Sequence, residues 1–435
     1  MGAAESLVVF DDQGLAQPQL AESWEFTDDR TVSLELRDDV EFHDGTPMDA
    51  AAVAGALTSA AAAEPPPRVL KGVGLTARAV DEDTVELQAA QADPLLVQRL
   101  GAASLVVLSP AAYADPAAPD PVGHGTGPFR LTAVDGASTA ALDAFDSYWG
   151  GAPALDGVDV RFVADPQART SALRAGDVDV AQALPIAQLP LLGADDQVEV
   201  VPLPRVVGAY LNTARGPFTD AGLRSAAFGA IDPAAVVDGP YEGQADLASG
   251  FFNAATLDGL ERPEVQRAPA TDPAGASIRL ATYSDRPELP EAAAVVAEQL
   301  RSAGFTVEVV VQEYTTLEPA LLAGEFDAVL ATRLYLLDSG DPIGFFASDV
   351  TCEGSYNLAR LCDPAVDAAV SAASPIADPA QRREAAVRLE AQVLGTGSFV
   401  PLLHERSRIG AAAGVSGLSA DPFERQVVTV DTTLR

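Results

Sequence analysis

Few residues in this chain could do chemistry, and the most suggestive stand together in VEFHDGTPMDAAAVAGAL, residues 40 to 57. His43 beside Asp44 has the composition of a general base with an orienting carboxylate. Only three histidines occur in 435 residues, the others being His124 and His404, and none lies in a recognisable triad context. The sequence contains no H-E-x-x-H, no G-x-S-x-G and no G-x-x-x-x-G-K phosphate loop. Two cysteines, Cys352 and Cys362, are too few for a thiolate zinc site. Joined, they would close a short loop, contribute about 2–3 kcal/mol and imply an oxidising compartment; two buried free thiols are the alternative.

The elements around His43 account for it without catalysis. TVSLELRDDVEF, residues 31 to 42, alternates apolar and polar residues and predicts a strand. His43-Asp44-Gly45 then forms a turn. Thr46 is placed to cap a helix from Asp49 to Ala62, with Pro47 at its first position and Val53 and Leu57 on the inner face. The histidine reads as part of a strand, turn and capped helix, and no catalytic residue is assigned.

Bulk properties narrow the function further. Hydrophobic residues make up 48% of the chain, enough for two or three compact units. The net charge of −36 and the absence of any basic cluster exclude a nucleic-acid partner. No run of 18 uncharged apolar residues is present to span a membrane.

Periodicity predicts an α/β protein. Strands at 129–134, 139–145 and 158–163 lead to Asp165-Pro166, a helix cap followed by a first-turn proline. That helix ends near Gly176, and a short strand follows at 178–181. ALLAGEFDAVLA (320–331) echoes ALRAGDVDVAQA (172–183), each a helix, a glycine, an acidic residue and a strand. In the second half, strands at 276–284 and 305–313 flank a helix at 290–303, Asp378-Pro379 opens another, and FVPLL (399–403) is a strand. One helix-to-strand return in each half predicts two similar lobes.

In order, PQLAESWEFTDD (18–29), LRDDVEFHDGTPMDAAAV (36–53), GTGPFRL (125–131), DSYWGGAPALDGVDVRFVAD (146–165), LNTARGPFTDAGLRSAAFGAID (211–232), GDPIGFF (340–346) and CEGSYNLARLCDPAVDAAV (352–370) resemble one family over nearly the whole chain. It is that of the extracytoplasmic solute-binding proteins of ABC transporters, family 5, the peptide/nickel class. The resemblance implies a two-lobed type II periplasmic-binding fold (cluster C) with an additional subdomain on the first lobe. Lobe I would take residues 1–30 and 125–205, the subdomain 31–124, lobe II 206–399, and lobe I would return at 400–435. The implied protein is not an enzyme. It is a monomer without cofactor or metal that encloses a small peptide or peptide-like solute and delivers it to ABC permease and ATPase subunits. The alternative is a binding fold recruited to a biosynthetic or sensing role.

The resemblance also implies site residues. In YLLDSGDP, Asp341 matches the aspartate that holds a dipeptide's amino terminus and Tyr335 the aromatic wall, with Asp338 between them. The arginine that anchors the carboxylate has no counterpart, since Pro290 and Glu291 stand there; Arg286, Arg333 or Arg205 could substitute. Tyr210 and Asn212 would line the cleft or pin the crossing backbone. His404 or His124 could face it, while Trp149 is expected to pack a turn. The nickel-class histidine after the D-P block is absent, which disfavours metal.

Three departures are visible. The opening MGAAESLVVFDDQGLAQ carries no signal segment and lacks the family's first strand, so the expectation is a chain that begins late, from a protein lipid-anchored outside the cell. The helix before the second-lobe strand is shortened near 263–275. His124 splits a glycine turn.

Overall fold

The structure is a computed structural model and describes residues 2–11, 14–115, 118–257, 259–336 and 341–435. The chain forms two compact units. The first takes Met1–Val201 and Ser407–Arg435, the second Pro202–Leu336 and Asp341–Arg406. The expected lobe boundaries at 205 and 399 therefore shift to 201 and 406. Both fall inside long strands, Gln197–Leu211 and Phe399–Ala411, which continue through the boundary without a break.

In the first unit an antiparallel sheet orders Ala21–Phe26, Thr31–Leu36, Thr84–Gln88 and Thr76–Ala79. The expected break between residues 30 and 31 cuts a hairpin, since Ala21–Phe26 pairs directly with Thr31–Leu36. A single buried core from Leu7 to Val107 unites the opening strands with the segment read as a subdomain. The strand predicted to run to residue 42 stops at Leu36, where Arg37-Asp38-Asp39 turns the chain.

The helix on this sheet spans Ala50–Ala62, and its cap is Asp49 rather than Thr46, the Asp49 carboxylate accepting from the Ala52 amide. Thr46 is already committed: its amide and hydroxyl both donate to Asp44 Oδ1 within the turn. Val53 and Leu57 are buried as predicted, each contributing roughly 1.5–3 kcal/mol of apolar transfer. A three-stranded meander follows at Phe129–Asp135, Thr139–Ala144 and Gly157–Arg161. Asp165 caps the Pro166–Ala175 helix, and Gly176 ends it in the left-handed conformation at φ 72°. Trp149 does pack a turn, its indole N–H donating to buried Glu5 and the Arg37 guanidinium lying over its ring.

The opening residues thread tightly against the 125–129 turn. The amides of Gly127 and Phe129 donate to the Ala3 and Gly2 carbonyls. A Cβ at Gly125 or Gly127 would stand about 2 Å from one of those carbonyl oxygens.

The second unit is built on Ser277–Tyr283, which runs parallel to Thr306–Gln312 on one side and to Ala328–Leu334 on the other. Gln197–Leu211 joins antiparallel to Ala328–Leu334, and Phe399–Ala411 lies beyond it. The Glu288–Ser302 helix connects the first parallel pair, its Leu289, Ala292, Val296 and Leu300 buried at a 3–4-residue spacing. Tyr314–Leu322 makes the second crossover, and Gly324 turns it back at φ 71°. Residues 263–270 carry no regular structure, in keeping with the shortened helix.

Candidate functional site

Parallel strands in open α/β sheets bring their carboxyl ends to one edge, where ligands are bound. In the second unit that edge follows Tyr283, Gln312 and Leu334, and it holds a concentration of arginine, tyrosine and carboxylate. The register places Arg205 opposite Leu334 and Val206 opposite Arg333. Because successive side chains alternate, Arg205 and Thr332 emerge on one face and Arg333 and Tyr210 on the other.

On the first face Glu405 is the hub. Its carboxylate accepts from the Thr332 hydroxyl at 3.0 Å and the Tyr241 hydroxyl at 3.3 Å. It pairs with Arg205 and Arg286, each at 3.6 Å. Glu405 and Arg205 are buried, whereas the Arg286 side chain keeps 37% of its surface. The Tyr283 hydroxyl accepts from the Thr332 amide, and burial pushes its phenol up to about 12.

On the second face Arg333 binds Asp349 through both Nε and Nη2, at 2.6 and 3.0 Å. Burial opposes the guanidinium charge, but Asp349 outweighs it and raises the arginine above its ordinary pKa. The Tyr356 ring lies 3.8 Å from the guanidinium carbon, and its hydroxyl meets that of Tyr314, which in turn donates to Glu318. Tyr210 is buried nearby, its phenol raised by burial, with no hydrogen-bond partner for its hydroxyl among the described residues. Tyr314 and Tyr356 escaped the sequence reading, because Tyr314 reaches the edge from the start of the Tyr314–Leu322 helix and Tyr356 from the Cys352–Cys362 loop, and neither has a local signature.

The other expected ligand residues are held elsewhere. Asp341 was expected to grip a ligand ammonium; here it caps the Pro342–Asp349 helix, accepting from the Gly344 amide at 2.6 Å. Arg382 grips the same carboxylate at 2.7 and 2.8 Å, and Asp341 is 3% exposed. A second cation would have to share oxygens already committed to a buried guanidinium. Tyr335, expected as an open aromatic wall, is 2% exposed. Its hydroxyl accepts from the Asn253 amide, and Phe252 packs on its ring. His404 is also buried, its ring 6.4 Å from that of Tyr335; burial, then Arg262, lowers its pKa to about 4. Asn212 pins backbone, donating to the Gly324 and Phe326 carbonyls. Asp338 lies outside the described residues. Cys352 and Cys362 form a disulfide, which settles the choice against free thiols.

A serine, a histidine and an aspartate do meet in the first unit. Ser109 Oγ donates to Asp44 at 2.6 Å, and both sit on one nitrogen, His124 Nδ1, at 2.8 and 3.3 Å. A relay needs the two ring nitrogens separately, one for each partner. Burial works against the Asp44 charge, but the Ser109 and Thr46 hydroxyls lower its pKa to about 2, so it is an anionic clamp and not a base. His43 Nε2 donates to the Gly127 carbonyl at 2.8 Å, which makes it a structural donor.

The family of bacterial extracellular solute-binding proteins, family 5 (middle), matches residues 16–357. The Probable D,D-dipeptide-binding periplasmic protein DdpA of Escherichia coli K12 is 26% identical over 95% of this chain and 84% of its own length. The glutathione-binding protein GsiB of Pectobacterium atrosepticum is 31% identical over 53% of this chain and 46% of its own. Among solved structures, NikA from Staphylococcus aureus in complex with Ni(L-His)2 superposes with a TM-score of 0.84 at 21% identity, covering 100% of this chain and 95% of that one. The dipeptide-binding protein from Pseudoalteromonas sp. SM9913 in complex with Met-Leu gives 0.83 at 20%, covering 100% and 94%. These likenesses give the chain the type II periplasmic-binding fold. The chain belongs to the family 5 extracellular solute-binding proteins and is, like them, a non-enzymatic binding component of an ABC importer.

Proposed function

We propose that the protein captures a small peptide or peptide-like solute at the carboxyl edge of its second unit and passes it to ABC permease and ATPase subunits. The observation that carries this reading is the pair of arginines on that edge. Arg333 is fixed by Asp349 and Tyr356, and Arg286 is partly exposed beside Glu405. Planar guanidinium groups suit a carboxylate, which dipeptides and glutathione all carry. Arg205 and Tyr210 support the same edge, and Asp341, Tyr335 and His404 hold the unit together behind it. We place the protein outside the cell membrane as a lipid-anchored monomer. The relatives described above are named for binding, which favours this reading over a biosynthetic or sensing role.

Calorimetry and thermal shift against D-Ala-D-Ala, Met-Leu, glutathione and the C-terminal amides of the two dipeptides test the reading. A solute at 100 times its Kd adds about 2.7 kcal/mol of apparent stability. The free acids should bind and the amides should bind at least about tenfold more weakly, a loss of about 1.4 kcal/mol. No shift with any of the acids would defeat the proposal.

A further inference from the structure

The loop closed by Cys352–Cys362 carries Tyr356, whose ring lies 3.8 Å from the Arg333 guanidinium carbon. Its amide donates to the Ser348 carbonyl at 3.0 Å, tying it to the last turn of the Pro342–Asp349 helix. Next to it, Asn357 donates to the Thr351 and Leu361 carbonyls and accepts from the Leu361 amide, so the loop is laced from within. At the near end of the bridge the Cys352 amide donates to Asp367 at 3.1 Å. A loop this short has no core of its own, and the covalent bridge with these bonds replaces one. Among the described residues, the hydrogen bonds of the Arg333 guanidinium go to Asp349 alone, through Nε and Nη2. An arginine has five N–H donors, so a guanidinium pinned on one side and covered on one face presents its remaining donors in a fixed direction.

We propose that the Cys352–Cys362 loop is a positioning element for the solute site: it holds Tyr356 flat on Arg333, and the stacked pair sets the affinity for a carboxylate-bearing solute. This rests on the carboxyl-edge reading above. Tyr356 is the specificity-determining residue. The disulfide acts only through it.

The test compares wild type, Tyr356→Ala, the double variant Cys352→Ser/Cys362→Ser, and the triple combination, with Met-Leu and glutathione as calorimetric probes. Tyr356→Ala and the open-loop double variant should each weaken binding by about 5- to 10-fold. The triple variant should be no weaker than the poorer of the two, because effects that pass through one residue do not add. Tyr356→Phe, which keeps the ring on the guanidinium, should restore binding to within about threefold of wild type, and it serves if the open loop fails to fold. A multiplicative triple variant, or a Tyr356→Ala protein that is less stable yet binds normally, overturns the proposal.

If none of D-Ala-D-Ala, Met-Leu and glutathione binds wild type, the carboxyl-edge reading fails by itself, and the positioning claim is decided without a ligand. In protein labelled with 3-fluorotyrosine, opening the disulfide should move the Tyr356 fluorine resonance, assigned through Tyr356→Phe, and leave that of Tyr148 in place. An unmoved Tyr356 resonance overturns the claim.

Discussion

The Pro342–Asp349 helix has a buried aspartate at each end, and each aspartate binds an arginine through two nitrogens. At the start, Arg382 grips Asp341, and its third nitrogen donates to the Ala373, Ser374 and Ile376 carbonyls at the end of the Pro364–Ala373 helix. At the end, Arg333 grips Asp349, and an aromatic ring covers it; among the described residues its guanidinium meets no carbonyl. The pairs share chemistry and differ in saturation. A guanidinium whose three nitrogens are all committed can only hold structure, whereas one held by a single carboxylate keeps donors for a guest.

The largest expected effect breaks the saturated end. Asp341→Ala leaves Arg382 buried without its counterion and should cost about 3–5 kcal/mol in urea denaturation. Solute affinity of the folded protein should stay within twofold of wild type; if affinity collapses while stability holds, Asp341 is the ligand anchor that its sequence context suggests. Acid is the next probe, because a binding assay at low pH reads a protein already losing stability. His404 is neutral in the folded state, its pKa held near 4 against an ordinary 6.5. The unfolded chain takes up the proton first, so stability is full above about pH 6.5 and falls by about 3 kcal/mol by pH 4. His404→Gln should flatten that slope, measured as urea midpoint against pH.

At the unsaturated end, replacing both partners by Arg333→Leu and Asp349→Leu avoids an orphaned charge. Stability should change by less than about 1 kcal/mol while Met-Leu binding weakens by about 30-fold. Equal losses in both would mean that the two ends do the same job. Smallest is Asp378→Ala, which removes another Asp-Pro cap, one whose carboxylate binds no guanidinium among the described residues, and should cost about 1 kcal/mol. A cost equal to that at Asp341 would show that the cap, and not the ion pair, matters there.

Caps of this kind were legible locally at 165 and 378, where Asp-Pro announces a helix because the carboxylate accepts from an amide three residues on; the same pair at 341 was read as a ligand anchor, and its cap went unread. Gly176 and Gly324 were readable as left-handed stops for the same kind of reason. At residue 46 local reasoning failed, because Asp44 had already claimed the threonine and the cap passed to Asp49. What no local pattern discloses is pairing at a distance. Arg382 stands 41 residues from Asp341, and Tyr314 stands 42 from Tyr356. The candidate arginines were therefore readable as types, and their division into committed and available was not.

The glycines at 125 and 127 leave one further mark on the molecule. With the Gly2 and Ala3 carbonyls occupying the space where a methyl group would sit, alanine at either position should dislodge residues more than 120 places earlier in the sequence. Amide exchange near the amino terminus would then report an edit made deep inside the chain, as a zip fastener jammed at one tooth gapes at its mouth.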